Sequence, residues 1–454
     1  MLAYIKKWKV AVLLLAVLSA GQAAAQETLT LEQAIELALK NNYDILLARN
    51  EAEIADRNNT IGNAGMLPTV NATLTDAYTL NNLNQRFSNG APDIARSGVN
   101  GNNVQAAVAL NWVLFDGLRM FATKGRLNQL EQIGELQLRD QIQNTVAQVI
   151  TAYYNVVGSK QQLKAIEEAI VIADERAKIA EAKFTVGSSS KVDYLQAKVD
   201  ANMQRSNQFS QRTLIEQRKA ELNRLMVRPA DAPFEVTDSI VINLNPELTP
   251  ADLEKKNFQL AIAARNIDVA KYAKKEAFSG FLPYLNGTVG YAFGRSQSDA
   301  GFTLYNQNYG LQAGFQLNIP LFNGLNTIRL NKIAGIEVQS AGFNFENVKM
   351  QTNVAYYNQL RNFENAKEVL DKGKKLYSKF CQHCHGEKGD GKGNLVVKEK
   401  FLGVPNYKDR EITEGSVFHV ITYGLNSMGS HANQLSQQER WQVTDYVLKL
   451  KSGL

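Results

Sequence analysis

An order of motifs that occurs twice constrains the fold of this chain more than any other feature. The first copy begins at residues 42–45 with Asn-Tyr-Asp-Ile, and Asn-Phe-Gln-Leu at residues 257–260 begins the second about 215 positions later. Each opens a predicted helix that runs to a Leu-Pro pair, at residues 67–68 and 282–283, so the two helices are expected to have equal length. A duplicated order of elements indicates two structural repeats.

Two segments that alternate between apolar and small or polar residues follow each Leu-Pro pair. Period two is typical of a strand with two different faces. Strands of roughly ten residues with this pattern fit the wall of a transmembrane barrel, although a soluble sandwich sheet alternates equally well. Four strands are too few to close a barrel from one chain, so a sheet that crosses a membrane requires oligomerisation. The apolar face of the second strand in each copy carries Val104, Ala106, Val108, Leu110, Trp112 and Leu114, or Leu311, Ala313, Phe315, Leu317 and Ile319.

A long helix is predicted after each strand pair. Both copies leave the strands through Leu-Phe-polar-Gly-Leu, at residues 114–118 and 321–325. The first helix is expected from Gly117 to about Phe184, on the order of 100 Å at 1.5 Å per residue. Helices of this length indicate coiled-coil-like packing.

A return helix is predicted in the first copy only. A turn rich in Gly and Ser leads into a helical pattern from Val192 to about Met226. The Tyr-Tyr-Asn of residues 153–155 recurs at 356–358, but the second helical pattern fades after about Phe363. The second turn and its return helix are therefore missing from the predicted order of elements.

This order of elements resembles the TolC outer-membrane efflux family over about residues 28–363, with repeats at about 28–226 and 248–363. The resemblance implies a homotrimer with a twelve-stranded transmembrane β-barrel, to which each chain contributes four strands. α-Helical hairpins would continue the barrel as a periplasmic tunnel. The resemblance also implies a periplasmic adaptor and an inner-membrane transporter as partners, with the adaptor docking at the turn of residues 186–195.

The N-terminus reads as an export signal. Lys6, Lys7 and Lys9 precede a short apolar run at residues 10–18, and three alanines at 23–25 suit cleavage near residue 26. The apolar run is shorter than the roughly 20 residues that span a bilayer, so a signal peptide at residues 1–25 is favoured over a membrane anchor. The net charge of +6 is mild for 454 residues, and no basic-aromatic motif indicates nucleic acid.

The last fifth of the chain has a different composition. Both cysteines, Cys381 and Cys384, and all four histidines lie beyond residue 380. Cys-Gln-His-Cys-His at residues 381–385 is a C-x-x-C-H motif, typical of c-type haem attachment. Two thiols at this spacing can form thioethers with the haem vinyl groups, and His385 can bind the iron as the proximal axial ligand. A thioredoxin-like site lacks its βαβ context, a zinc site lacks further ligands, and a simple disulfide leaves His385 unexplained.

The second axial ligand is expected in a Gly-punctuated loop. Met428 lies in Tyr-Gly-Leu-Asn-Ser-Met-Gly at residues 423–429, with His431 and His419 as rival ligands. A thioether ligand raises the haem potential and suits electron transfer. Residues 404–406, Val-Pro-Asn, are expected to supply a carbonyl to the second nitrogen of the proximal histidine.

Four features together resemble a class I cytochrome c: the C-x-x-C-H motif, Gly-Asp-Gly-x-Gly at residues 389–393, Val-Pro-Asn-Tyr at 404–407, and the loop of Met428. The similarity is greatest to the mono-haem subunit of alternative complex III. It implies one covalently attached haem c and a quinol-oxidising complex or terminal oxidase as redox partner. A capping box at Ser436 opens a final helix, expected to cross the helix that contains Gly373.

The chain is thus predicted to have a mixed fold of long coiled-coil hairpins and four barrel strands, followed by a small all-α cytochrome c domain at residues 364–454. The predicted function is electron transfer by a haem c domain carried on an outer-membrane efflux subunit, with the helices and haem in the periplasm. No general base, nucleophile or substrate pocket is evident, so no enzyme activity is expected. One alternative is an efflux subunit with a non-essential haem domain. Another is a chimeric gene product that joins two normally separate proteins.

Overall fold

The computed structural model describes residues 28–452, except residues 89, 91, 238–249, 402 and 411. The predicted signal peptide lies outside the described residues. The chain divides into two compact units. One contains the described parts of residues 1–46, 141–248 and 354–454, and the other contains those of 47–140 and 249–353.

Strands and helices alternate in the order that the duplicated motifs predict. The strands are β1 (Thr28–Leu29), β2 (Thr69–Gln85), β3 (Ile94–Phe115), β4 (Glu235–Val236), β5 (Tyr284–Ser298) and β6 (Tyr305–Asn318). The α-helices of the repeats are α1 (Leu31–Asn41), α2 (Tyr43–Asn58), α3 (Arg119–Thr185), α4 (Lys191–Met226), α5 (Pro250–Lys256), α6 (Phe258–Phe278) and α7 (Asn326–Phe380). Those that follow are α8 (Gln382–His385), α9 (Asn394–Val397), α10 (Glu414–Tyr423) and α11 (Gln437–Ser452).

The long hairpin of the first copy is confirmed. Helix α3 has 67 residues and α4 has 36. The turn between them is closed by a capping box, in which the Ser190 hydroxyl accepts the Asp193 N–H at 3.1 Å and the Asp193 carboxylate accepts the Ser190 N–H at 3.2 Å. These bonds satisfy donors that the first turn of α4 would otherwise leave unpaired.

A hydrophobic core holds the base of this hairpin. Tyr153 of α3 is fully buried, and its hydroxyl donates to the Leu29 carbonyl at 3.0 Å. Leu29 belongs to β1, which pairs in parallel with β4 through Val236. The sequence did not predict this small sheet, because strands of two residues carry no periodic signal.

The other four strands form one antiparallel sheet in the order β2-β3-β5-β6, so the two copies meet at β3 and β5. Val108 of β3 lies opposite Ala72 and Tyr291, which keeps the apolar residues of neighbouring strands on one face. The strands have 14 to 22 residues, more than the ten expected. Polar residues continue the strand pairing beyond the apolar stretch. In one such pair of strands, β2 and β3, the Asn102 amide donates to the Asp76 carboxylate at 2.6 Å.

The prediction that the two pre-strand helices have equal length was wrong. Helix α2 ends at Asn58 after 16 residues, whereas α6 has 21. After α2, the Asn63 amide donates to the Asn58 carbonyl at 2.9 Å, and the Asn63 N–H donates to the Thr60 hydroxyl at 3.1 Å. Asn and Thr side chains that bond to nearby backbone compete with helix continuation.

Helix α7 runs unbroken for 55 residues through the predicted domain boundary at residues 363–364. Tyr153 and Tyr356 occupy equivalent positions 203 residues apart, so the end of α7 corresponds to residue 177 of α3. The described α-helices that follow have 4 to 16 residues. No return helix of the length of α4 is therefore found among them, as predicted.

No helix in the described part of the chain carries an apolar stretch that is long enough to cross a membrane.

We expect Asn42→Ala to destabilise the base of the hairpin. The buried Asn42 amide donates to the Leu225 carbonyl at 2.9 Å, and its oxygen accepts from the Asp44 N–H at 3.0 Å. Leaving a buried carbonyl unpaired costs about 1–3 kcal/mol. The thermal midpoint in detergent should fall by several degrees, whereas Asn50→Ala, at an exposed position of α2, should change it little. Equal midpoints for both variants would contradict this role.

Candidate haem-binding site

The last turns of α7 cross α11 at very close range. A Cβ added at Gly373 would lie 2.0 Å from the Gln442 carbonyl oxygen, so only glycine fits there. One turn further on, the Tyr377 ring packs on the Tyr446 ring with centroids 5.4 Å apart. This confirms the predicted crossing of the final helix with the helix of Gly373. Both helices contribute to a core of Tyr377, Cys381, Tyr407, Val417, Ile421, Leu435, Val443, Tyr446 and Val447.

The C-x-x-C-H motif lies directly beyond this crossing. The Cys381 N–H donates to the Tyr377 carbonyl at 2.8 Å, and the His385 N–H donates to the Cys381 carbonyl at 3.0 Å. Helical spacing therefore sets Cys381, Cys384 and His385 along one side of a single turn. Both cysteines are free thiols, Cys381 buried and Cys384 half-buried. The arrangement leaves both sulfurs free for thioether formation.

The surroundings of Cys381 and His385 favour their neutral forms. Burial raises the pKa of the Cys381 thiol to about 12, with a smaller contribution from Cys384. Reactive thiols of redox motifs instead have a lowered pKa, so this environment does not fit a thioredoxin-like site. Burial, together with the charge of His431, lowers the pKa of the His385 imidazole. Neutral imidazole is the form that binds a metal.

The His385 ring is not held by a hydrogen bond at Nδ1. This nitrogen is buried and has no hydrogen-bond partner among the described residues. The ring stacks on Tyr407, with centroids 5.1 Å apart. The hydrogen bond expected from residues 404–406 is not formed. The Val404 and Pro405 carbonyls lie against Gly391 instead, where an added Cβ would be 2.5 and 3.3 Å from their oxygens. The imidazole is thus available for iron, and the residues of the motif fit a covalently bound haem.

The loop of Met428 is fastened to the end of α10. Leu425 and Met428 exchange backbone hydrogen bonds of 3.0 and 2.9 Å, which closes the loop. The His431 N–H then donates to the Ile421 carbonyl at 2.9 Å. Met428 is half-buried. This places both Met428 and its rival His431 in one short segment.

The two rival histidines have different surroundings. His431 is close enough to His385 for its charge to lower the pKa of that ring. His419 instead packs against Tyr423, with ring centroids 4.7 Å apart, and burial and the Arg176 charge lower its own pKa. Met428 and His431 therefore remain the candidates for the second axial position.

Two family models match separate parts of the chain. A model described as "Outer membrane efflux protein" matches residues 34–227. A second, described as "Cytochrome C oxidase, cbb3-type, subunit III", matches residues 368–447. The second match begins inside α7 and includes Cys381, Cys384, His385 and Met428. It supports a cytochrome c domain. Its description names a cbb3-type oxidase, whereas the sequence motifs are most similar to those of a subunit of alternative complex III.

Curated relatives share the efflux part. The chain is 28% identical over 336 residues to "Outer membrane efflux protein BepC" of Brucella suis. The matched region covers 69% of this chain and 65% of BepC. It is 23% identical over 357 residues to "Proteases secretion protein PrtF" of Dickeya chrysanthemi, covering 75% of this chain and 74% of PrtF. The chain thus spans just under two thirds of BepC and about three quarters of PrtF.

Solved structures share the fold. The Campylobacter jejuni CmeC outer membrane channel has a TM-score of 0.60 at 15% identity, covering 93% of this chain and 81% of CmeC. The outer membrane protein VceC of Vibrio cholerae has a TM-score of 0.58 at 15% identity, covering 93% of this chain and 92% of VceC. The long helices and the four-stranded sheet therefore form a TolC-like channel fold.

We expect Gly373→Ala to impair the C-terminal core. The added methyl group would overlap the Gln442 carbonyl, and forcing such contacts apart typically costs about 1–3 kcal/mol or more. The fraction of purified protein that carries covalent haem should fall, together with the midpoint of its thermal transition. Gly342→Ala is the matched control, since it lies on the same helix and its Cβ meets no atom within 4 Å. The control should keep the haem and gain up to about 1 kcal/mol of helix stability.

Proposed function

We propose that this chain is an outer-membrane efflux subunit that carries one covalent haem c for electron transfer. The match of residues 34–227 to the outer membrane efflux protein model and of residues 368–447 to the cytochrome model supports the two parts of this proposal. The observation that carries the haem part is the geometry of residues 381–385. Two free thiols and an imidazole that is not held at Nδ1 lie on one helical turn next to a closed core.

The residues of this turn have separate tasks in the proposal. Cys381 and Cys384 would hold the haem through two thioethers, next to the crossing of α7 and α11. His385 and Met428 would hold its iron through an imidazole nitrogen and a thioether sulfur. When bound, the haem iron accepts and returns one electron by cycling between two oxidation states. Since that exchange forms and breaks no substrate bond, we propose no catalytic residue and no enzyme activity.

The efflux part of the proposal is supported by the fold and the relatives. PrtF is named as a protease secretion protein and BepC as an efflux protein. By analogy with such proteins, the chain forms a homotrimer in the outer membrane and works with a periplasmic adaptor and an inner-membrane transporter. One sheet face exposes large apolar side chains, including Leu74, Leu311 and Phe315, as is typical of surfaces that meet lipid or protein. The haem domain would then face the periplasm, where a respiratory complex is the proposed redox partner.

Helix α7 joins the second repeat to the C-terminal core, so the proposed product carries both parts on one polypeptide. This helix belongs to the second repeat at its start and to the C-terminal core at Tyr377. Outer-membrane fractions of the source cells should contain a haem-stained band near 50 kDa on denaturing gels. Haem staining only at the mass of a small cytochrome would reject the joined protein.

Replacing both cysteines by alanine should abolish the covalent haem, because no thioether can then form. The C381A/C384A double variant should reach the outer membrane without haem staining on denaturing gels, whereas each single variant should keep a weaker stain. Resistance of an efflux-deficient host to dyes should be measured in parallel. Resistance that survives in the double variant would favour the alternative of an efflux subunit with a non-essential haem, and a haem stain that survives would exclude covalent attachment through these thiols.

Met428→Ala should lower the haem reduction potential and change the visible spectrum, because a thioether ligand stabilises the reduced iron. The matched variant is His431→Ala, from the same loop, which should keep the spectrum and potential close to those of the unmodified protein. Redox titration of the purified holoprotein distinguishes the two ligands. The opposite result, with only His431→Ala changing the potential, would assign the second axial position to His431.

A further inference from the structure

The haem domain touches the first hairpin through its helix α10. The Thr413 hydroxyl, at the N-cap of α10, donates to the Glu168 carboxylate of α3 at 3.3 Å. Two residues further on, a Cβ at Gly415 would lie 3.6 Å from the Cβ of Ala165. Both α3 residues and α10 belong to the same compact unit.

The chemistry of this contact suits a helix end that meets a helix side. Glu168 brings a negative charge to the N-terminus of α10, where the helix dipole and unpaired N–H groups favour an anion. Gly415 and Ala165 are small, so the two backbones can approach closely. The charge of Arg176, on α3, also lowers the pKa of His419 further along α10. The direct contacts are those of Thr413 and Gly415, at the start of α10.

We propose that α10 is a docking element that fastens the haem domain to α3 within the same chain, so that the haem keeps a fixed position on the periplasmic hairpin. This proposal rests on the proposed haem function in one respect, namely that the docked domain carries a haem. A domain held solely by α7 would be free to bend away from the hairpin, whereas a second contact at α10 fixes its orientation.

Docking at α10 also bears on the second axial ligand. The loop of Met428 begins at the last turn of α10 and is bonded back to it, through the His431 N–H to the Ile421 carbonyl at 2.9 Å and the Ser430 hydroxyl to the Thr422 carbonyl at 2.5 Å. One end of α10 therefore contacts α3 and the other end holds the ligand loop. Fixing α10 on the hairpin fixes the origin of that loop.

A disulfide between α3 and α10 tests the docking directly. The Cβ separation of 3.6 Å between positions 165 and 415 lies within the range of natural disulfides. In the full-length holoprotein the native thiols are held in thioethers, so an A165C/G415C variant has one free pair. Oxidised glutathione, reduced to its thiol form, accepts the two electrons. We expect an intramolecular disulfide that shifts the mobility of the single chain on non-reducing gels and leaves the haem spectrum unchanged.

The matched control pairs the same cysteine with an exposed position elsewhere in the haem domain. In A165C/V397C the second cysteine lies on α9, where Val397 is exposed, and no intramolecular disulfide should form. Adding Glu168→Lys to the A165C/G415C variant should slow disulfide formation about fivefold, because the reversed charge opposes the dipole of α10.

Each outcome separates the docking from the haem function. A chain with an intact haem spectrum and no 165–415 disulfide would overturn the docking alone. Disulfides that join two chains would also overturn it, since α10 would then contact a neighbouring subunit. A 165–415 disulfide in a chain that never stains for haem would support the docking and contradict the proposed haem function.

Discussion

The close crossing of α7 and α11 at Gly373 is the contact on which the C-terminal region depends. A single Cβ at this position would overlap a backbone carbonyl, so the approach of the two helices is limited by backbone alone. Tyr377 and Cys381 follow on the same helical path, and both enter the core that α11 closes. The position of the C-x-x-C-H motif is thus set by a helix whose first turns belong to the efflux repeat.

This dependence explains how a cytochrome domain can follow a channel repeat without a flexible linker. Helix α7 ends at Phe380, which is equivalent to residue 177 of α3, and the C-x-x-C-H motif begins at Cys381. The first hairpin returns through α4, whereas the described residues after α7 form four short α-helices and one 3-10 turn. Burial raises the pKa of Cys381, unlike that of a reactive redox thiol, and lowers the pKa of His385, which favours the neutral imidazole that binds a metal.

Much of the site was predictable from sequence because its residues are adjacent. The spacing of Cys381, Cys384 and His385 defines the chemistry without knowledge of the fold, and the capping box at Ser436 predicted the final helix. The expected bond from residues 404–406 to His385 is absent, since its formation depends on where the Val404 carbonyl points after the loop has packed. The contact of Thr413 with Glu168 joins residues 245 positions apart and leaves no local signal.

The sequence by itself determined the duplicated elements, the long hairpin and the haem-binding motif, because each rests on periodicity or on short spacings. It did not determine where α2 ends, how far the strands extend or that β1 pairs with β4, because side-chain bonds and backbone pairing between distant segments decide these features. Only the tertiary structure showed that α7 is continuous through residue 363 and that α10 lies on α3. The second depends on a contact between residues 245 positions apart, which no local pattern encodes.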